Sequence, residues 1–259
     1  MTEPIPLRGG VNQVLRVGLT VHRPTGPWTP AVHGLLRHLE HEGFTASPRV
    51  HGTTPDGLEI LDHLPGEVGE YPLTEAVTST EALRSAAELL RAYHDVTAAY
   101  VPGHETGWMF PAMSPAEVVL HNDYAPYNCV LDGTEVVGVI DFDTATPGPR
   151  LWDVAYATYR WAPITAPANP SGFGTPEQQA TRTRAFCDHY GLRPDARRDL
   201  VDTVIRRLDA LVTFMRAQAD AGVTAFQNHI AEGHDSLYLN DITYLRDHRH
   251  VFDEALRAD

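Results

Sequence analysis

The chain has 259 residues, of which 42% are hydrophobic and 21% are charged. This composition is typical of a globular protein and excludes a disordered chain, a collagen and a coiled coil. The 34 acidic and 20 basic residues give a net charge of −14, which disfavours nucleic acid and anionic membranes as partners. Because no apolar run could span a bilayer and the first ten residues do not form a secretory signal, we expect a cytoplasmic protein.

Two residue types limit the available chemistry. The two cysteines, Cys129 and Cys187, are too few for a disulfide framework or a cysteine-rich zinc site, and we expect them to be buried thiols. All basic residues are arginine, and the sequence contains no lysine. Mechanisms that require a lysine nucleophile, a Schiff base or a phosphate-binding lysine are therefore excluded.

The N-terminal region predicts a small β-rich lobe with one helix. Alternating apolar residues over 11–17, followed by a second short strand over 19–23, predict a hairpin. Thr29 and Pro30 are typical of the N-cap and first position of a helix, which Gly43 ends. Two further strands are predicted over residues 48–51 and 58–64.

Pro65-Gly66 predicts a hinge, so we expect one lobe over residues 1–66 and a second over residues 67–259. The second lobe is predicted to be mainly helical. The clearest helices lie over residues 80–100 and 197–222, and short strands are predicted over 118–120, 129–131 and 136–141. Residues 163–176 are rich in Pro, Gly, Ser and Thr and predict a mobile loop.

A dense polar cluster, residues 121–128, lies between two of the short strands, and Asp141 ends the next one. Asp123, Asn128 and Asp141 supply two carboxylates and one amide oxygen, a set that suits Mg²⁺ completed by substrate phosphates. A carboxylate beside such a metal can accept a proton from a hydroxyl nucleophile. Alternatively, Asp123 and Asn128 are only turn residues around Pro126.

The spacing His121-x-Asp123-x(4)-Asn128, followed by the segment 140–143 (Ile-Asp-Phe-Asp), resembles the catalytic and metal motifs of the aminoglycoside phosphotransferase family. That family is related to choline and homoserine kinases. Residues 148–155 are similar to its Gly-x(4)-Asp-Leu-Ala helix start, and residues 59–66 and 89–95 resemble its hinge strand and its Leu-His-Asp helix ending. The resemblance covers roughly residues 7–159. It implies an α+β, bilobal protein-kinase-like fold with a small β-rich N-lobe and a larger helical C-lobe.

The resemblance also implies a role for individual residues. Asp123 would be the catalytic base, and Asn128 and Asp141 would hold Mg²⁺. His121 would pack under the catalytic loop, and Asp153 would brace that loop from a helix N-terminus, although Asp153 could be only an N-cap. The cofactor would be ATP or GTP. The nucleotide phosphates would lie under Gly9 and Gly10, although two glycines would also suit a plain hairpin turn. The adenine would lie against backbone groups of Asp62, His63 and Leu64.

The sequence departs from the family at the phosphate-binding lysine. Kinases of this fold pair a third-strand lysine with a helix glutamate. Here the strand position falls within residues 20–23, and we favour Arg23, whose fork is bulkier and not equivalent. The helix after Pro30 has Val32 and His33 near the expected place and no acid before Glu40. We therefore expect the ion pair to be absent or rebuilt.

The sequence thus predicts a Mg²⁺- and nucleotide-dependent phosphotransferase that acts on a hydroxyl of a small molecule. The acidic balance favours a cationic acceptor such as an aminoglycoside or an amino alcohol, in either antibiotic resistance or metabolism. Asp143, Glu232 and Asp235 are candidate substrate residues, and the chain is expected to be a monomer or a homodimer. The alternative is a kinase-fold binding protein without catalysis. A metal hydrolase built on Asp123, Asp141 and Asp143 is disfavoured because it would need histidine ligands at defined spacing.

Overall fold

The structure is a computed structural model that describes residues 4–7, 14–101 and 106–257. The strands are β1 (Ile5–Leu7), β2 (Val14–Val17), β3 (Thr20–Pro24), β4 (Val50–Thr53), β5 (Leu58–Asp62), β6 (Glu67–Val68), β7 (Val118–Leu120), β8 (Cys129–Asp132), β9 (Glu135–Val139) and β10 (Thr146–Gly148). The helices are α1 (Thr29–His41), α2 (Glu75–Thr78), α3 (Thr80–Thr97), α4 (Arg150–Trp161), α5 (Pro176–Tyr190), α6 (Pro194–Arg197), α7 (Leu200–Asp220), α8 (Thr224–Ala231), α9 (His234–Asp247) and α10 (Arg249–Arg257). Two 3-10 turns, Pro126–Asn128 and Phe142–Thr144, lie beside β8 and β9.

The N-terminal lobe is one antiparallel sheet with the strand order β1-β2-β3-β5-β4. The predicted hairpin is confirmed where it is described, since β2 pairs with β3 around Gly18; residues 11–13 of the predicted first strand lie outside the described residues. Helix α1 buries Val32, Leu35, Leu36 and Leu39, the apolar positions of a 3.6-residue period. The predicted cap is wrong by one residue: Trp28 is the N-cap, and the Thr29 hydroxyl instead accepts a hydrogen bond from the Gly26 N–H at 2.9 Å.

The register of β3 on β5 sets Arg23 directly opposite Glu59. Directly opposed residues of an antiparallel pair point to the same face of the sheet. Both side chains are buried. A buried acid and a buried base therefore lie side by side on the face that α1 covers in part.

The connection after β5 passes close to the second lobe at Gly66. Gly66 has a φ of +138°, and a Cβ atom added there would lie 2.5 Å from the carbonyl oxygen of Leu131 in β8. Only glycine avoids both the backbone strain and this overlap. The close approach accompanies the pairing of β6 with β8, which joins the connection to the strand after the polar cluster.

The second lobe is mainly helical, as predicted, and the α+β fold class is confirmed. Helix α3 buries Leu83, Ala87, Leu90 and His94, the face predicted from the sequence. Sheets β6-β8-β9 and β7-β10 pack beside it, and helices α4 to α10 form the rest. Within the described ranges, no helix is both long and apolar enough to cross a membrane.

Residues 163–175 form a loop, as predicted, but this loop is hydrogen-bonded to helix α9. Thr165 and Asn169 are buried. Asp241 of α9 accepts hydrogen bonds from the Ala166 N–H and from Asn169 Nδ2, each at 2.7 Å. The composition of the segment indicated mobility, whereas a buried carboxylate far along the chain holds it.

Candidate active site

The loop after β7 contains the predicted catalytic residue and is held by Asp153, in the first turn of α4. Asp153 is fully buried. Its Oδ2 accepts from the His121 N–H at 2.7 Å and its Oδ1 from the Asn122 N–H at 2.8 Å. His94 Nε2 lies 3.1 Å from Oδ2. Burial opposes ionisation, but these donors hold the pKa of Asp153 below its usual value. Asp153 therefore fixes two successive backbone groups of the loop.

Asp123 lies on this loop with both carboxylate oxygens hydrogen-bonded. Tyr127 Oη donates to Oδ1 at 2.7 Å, and Asn128 Nδ2 donates to Oδ2 at 2.9 Å. Burial raises the pKa of Asp123, and the hydrogen bond from Tyr127 opposes that rise. A carboxylate that is oriented by two donors and more basic than usual is suited to accept a proton.

His121 joins the loop to the segment after β9. Its Nε2 lies 2.9 Å from the carbonyl oxygen of Ile140, and its Nδ1 lies 3.3 Å from the Asp123 N–H. Since a carbonyl only accepts and an N–H only donates, Nε2 holds the proton and Nδ1 accepts. The Ile140 N–H also donates to the Asn128 carbonyl at 2.9 Å. These bonds bring the two sequence motifs into one site.

The predicted metal ligands, Asn128 and Asp141, are brought together by the same contacts. The Asn128 amide nitrogen is turned onto the carbonyl and the Oδ2 of Asp123, at 3.0 and 2.9 Å, so its oxygen is directed away from Asp123. Asp141 adopts a φ of +63°, and its side chain is 50% exposed. In the described part of the chain, no group of three or more His, Cys, Asp or Glu side chains could hold a metal alone. The donor set fits Mg²⁺ only where nucleotide phosphates and water complete its coordination.

Arg23 lies in β3 and has three carboxylate partners. Its Nε donates to Glu59 Oε1 at 2.6 Å, its Nη1 to Asp141 Oδ1 at 2.7 Å and its Nη2 to Asp143 Oδ1 at 2.6 Å. Burial opposes the charge, but the three acids raise the pKa of the Arg23 guanidinium above its usual value. Glu59 Oε2 lies 2.7 Å from Nε2 of His33 in α1. The expected ion pair is therefore rebuilt, with its acid on strand β5.

Other predicted site residues have different surroundings. The side chain of Asp62 is hydrogen-bonded to Arg49, just before β4, and to His51 on β4. The Asp62 N–H donates to the carbonyl of Arg49, and the His63 N–H donates to the carbonyl of Leu19. Leu64 packs over Gly138, where an added Cβ atom would be 2.8 Å from Leu64 Cδ1. Gly9 and Gly10 lie outside the described residues.

The candidate substrate residues are not grouped. Asp143 pairs with Arg23, and burial raises the pKa of Asp143. Asp235 is buried and accepts two hydrogen bonds from Arg216, at 2.9 and 2.6 Å. Glu232 is exposed at the end of α8, and its nearest ion-pair partner is His234, at 3.5 Å. The structure thus places Asp143 with the Arg23 network and the other two at the α8–α9 connection.

A ring of tyrosines surrounds Arg160, next to the catalytic loop. Five tyrosine ring centroids lie 5.2–6.0 Å from its guanidinium carbon: Tyr71, Tyr127, Tyr156, Tyr159 and Tyr238. Arg160 Nε donates to Tyr156 Oη at 3.1 Å, and that hydroxyl lies 3.0 Å from Tyr127 Oη, which in turn contacts Asp123. The surroundings of Asp123 are therefore aromatic and locally cationic.

The sequence did not predict the tyrosine ring, nor did it predict the contacts that Glu59, His33 and His94 make. Glu59 had one weak signal, since it is an acid between the apolar residues Leu58 and Ile60 of a predicted strand. The ring had none, because its tyrosines come from four segments spread over residues 71–238.

Comparisons with known proteins agree with this arrangement. The phosphotransferase enzyme family APH matches residues 105–197, which include the catalytic loop and both predicted metal ligands. The trifolitoxin immunity protein of Rhizobium leguminosarum bv. trifolii is 34% identical over 206 residues, which are 76% of this chain and 77% of that protein.

Two solved structures show the same fold. The ethanolamine kinase of Plasmodium vivax has a TM-score of 0.69 at 12% identity, over 96% of this chain and 83% of its own. An amicoumacin kinase, solved with AMP-PNP, Ca²⁺ and its ligand Ami, has a TM-score of 0.63 at 13% identity, over 88% of each chain. The bilobal kinase-like fold and the family resemblance are both confirmed, and the chain belongs to the APH phosphotransferase enzyme family.

Proposed function

We propose that this protein transfers the γ-phosphoryl group of ATP or GTP to a hydroxyl group of a small molecule, with Mg²⁺. The observation that most supports this function is the Asp123 carboxylate. Both of its oxygens are held by donors and its pKa is raised, and one of those donors, Asn128, is a candidate metal ligand. This is the arrangement that a hydroxyl-orienting base requires beside a nucleotide.

In this proposal each residue has one task. Asp123 accepts the hydroxyl proton of the acceptor as the oxygen attacks, and Asp153 and His121 keep the loop in place. Asn128 and Asp141 would hold Mg²⁺, which when bound neutralises phosphate charge. Arg23 would contact the nucleotide phosphates with the nitrogens that now pair with Asp141 and Asp143. Catalysis of this kind depends mainly on position and charge.

The acceptor is proposed from two lines of support. The relative named for trifolitoxin immunity and the amicoumacin kinase favour a protective role, in which a toxic small molecule is modified. The net charge of −14 favours a cationic acceptor. The charge nearest to Asp123 on its aromatic side, however, is that of Arg160. A cationic acceptor would therefore have to place its ammonium groups away from the tyrosine ring.

A second candidate is a kinase-fold protein that binds a ligand and transfers no phosphoryl group. The observation that favours it is Arg23, which pairs with Asp141 and Asp143, a candidate metal ligand and its neighbour. If nucleotide cannot displace these contacts, no transfer occurs. The two candidates differ in Mg²⁺-dependent phosphoryl transfer, for which nucleotide binding is the first requirement.

The test is calorimetric titration with ATP and with GTP, each with and without Mg²⁺, and then an assay of ADP or GDP release with a panel of hydroxyl-bearing antibiotics and amino alcohols. We expect Mg²⁺-dependent binding and acceptor-dependent release. Asp123→Asn should bind nucleotide like the wild type and lose about 100-fold or more of the release rate. Turnover within a few-fold of the wild type in that variant would show that Asp123 is not the base. Absence of nucleotide binding at millimolar concentration would support the second candidate.

A further inference from the structure

The Arg23 side chain pairs with a buried acid at one end and with more exposed acids at the other. The Nε end pairs with Glu59, whose side chain is 1% exposed, and the Nη1 end pairs with Asp141, whose side chain is 50% exposed. The guanidinium therefore extends from the interior of the N-terminal sheet toward the opening of the site. Its two terminal nitrogens are the ones that face the candidate metal ligand and Asp143.

Glu59 is itself fixed on both sides. One carboxylate oxygen contacts Arg23 Nε and the other contacts His33 Nε2. The ladder between β3 and β5 sets Glu59 opposite Arg23, and α1 supplies His33. A carboxylate with both oxygens occupied has one orientation, so the Nε edge of the guanidinium also has one.

We propose that Glu59 and His33 are positioning residues for nucleotide binding: they fix the Nε edge of Arg23 so that its two terminal nitrogens are presented to the phosphates. The proposal rests on the proposed phosphotransferase function. In kinases of this fold a helix glutamate positions the phosphate-binding lysine. Here Glu59 on a strand and His33 on a helix would position Arg23 in the same way. This arrangement also explains why an arginine is suitable here, because a lysine has a single nitrogen and cannot pair with Glu59 and offer two further nitrogens at once.

The test measures binding of AMP-PNP and GMP-PNP by calorimetry, with and without Mg²⁺, in the full-length wild type and in variants. Glu59→Gln keeps the size of the side chain and removes its charge. We expect it to weaken the affinity about 10- to 100-fold. Glu135→Gln is the matched control, since Glu135 also pairs with an arginine, Arg84 at 2.6 Å, at the start of β9. It should bind as the wild type does.

A double-mutant cycle shows whether Glu59 acts through Arg23. Arg23→Gln alone should weaken binding, and the Arg23→Gln/Glu59→Gln double variant should bind no more weakly than Arg23→Gln. His33 provides a second, independent pair of variants. His33→Gln keeps a donor for Glu59 and should retain affinity, whereas His33→Leu removes the donor and should lose affinity. This pair decides the matter if Glu59→Gln does not fold.

The outcomes are distinct. Wild-type affinity in Glu59→Gln, additive losses in the cycle, or equal affinities of the two His33 variants would each overturn the positioning role and leave a purely structural ion pair. Failure of the wild type itself to bind either nucleotide would instead overturn the proposed function, on which the inference depends.

Discussion

Asp153→Asn is the substitution whose effect can be worked out most fully from the structure. The carboxylate accepts from three donors: the His121 N–H, the Asn122 N–H and His94 Nε2. An asparagine can accept through one oxygen only. His94 can change tautomer and accept from the new amide group, because its other nitrogen contacts the Tyr190 hydroxyl, which can either donate or accept.

The backbone groups cannot adapt in this way. Whichever way the new side-chain amide is turned, its NH₂ group faces a backbone N–H of His121 or Asn122, and that donor is left buried without an acceptor. Losing a bond to a charged group costs about 1.5–3 kcal/mol, and a buried unpaired donor costs about 1–3 kcal/mol. We expect the free energy of unfolding to fall by about 3–5 kcal/mol.

The assay is urea unfolding at pH 7, together with amide hydrogen exchange measured by NMR. The amide of His121 or that of Asn122 should lose protection in Asp153→Asn. Asp241→Asn is the matched control, because Asp241 is also fully buried and accepts from a backbone N–H, that of Ala166. Its one backbone donor can still be accepted by the remaining amide oxygen, so this variant should leave the protection of His121 and Asn122 unchanged. Unchanged protection of both loop amides in Asp153→Asn would refute the reasoning.

The direction of the Asp153 pKa shift also predicts how the stability difference between the wild type and Asp153→Asn depends on pH. The folded pKa of Asp153 lies below its unfolded value of about 3.9. The stabilisation is therefore fully present above that unfolded value, and it is lost as the pH falls through the folded pKa. The part of the difference in unfolding free energy that comes from ionisation of Asp153 itself should be constant from pH 7 to about pH 5 and should shrink only in stronger acid.

Three further predictions concern other sites. Tyr127→Phe removes the donor to Asp123 Oδ1 and should raise the pKa of Asp123 further. The acidic limb of the pH profile of kcat/KM should therefore move to higher pH by about one unit. Tyr238→Phe removes a hydroxyl that is bonded to Arg160 and not to Asp123, and it should leave that limb in place. Burial raises the pKa of Asp241, so its ionised form is unfavourable in the fold and its contribution to stability should increase as the pH falls from 7 toward 4; the Asp241→Asn difference in urea unfolding measured across that range checks the sign. Gly66→Ala should destabilise the fold by about 3 kcal/mol or more, because it adds overlap with Leu131 to backbone strain, whereas Gly57→Ala, which also has a positive φ but open space around it, should cost only about 1 kcal/mol; equal losses in thermal unfolding would show that the overlap is relieved.

The sequence was sufficient to predict the parts of the site that are contiguous in the chain. The loop over residues 121–128 and the segment 140–143 are short, and each lies next to a strand, so their resemblance to the phosphotransferase motifs indicated both the fold and the residues that meet. The structure places Asp123, Asn128 and Asp141 in one site, and their roles remain predictions. The fold class was predicted from that resemblance, together with the change from β-rich to helical patterns along the chain.

The rest depended on contacts between distant segments. The partner of Arg23 was sought on α1, where kinases have it, but the register of β3 on β5 supplies Glu59, 36 residues away. Composition predicted that residues 163–176 are mobile, whereas Asp241 holds that loop from about 70 residues further along the chain. Neither pairing leaves a periodic signal, because each depends on a single buried polar group and not on a repeating apolar face.

The two buried cysteines provide internal probes of local stability. Cys129 comes directly after Asn128 at the start of β8, and Cys187 lies in α5. Burial raises the pKa of both thiols, that of Cys187 to about 12. Because only the thiolate reacts and neither sulfur is accessible, each can be alkylated only after its own surroundings open. The two alkylation rates in one sample would therefore report the opening free energy of the catalytic region and of the helical lobe separately, without a label or an assay of activity.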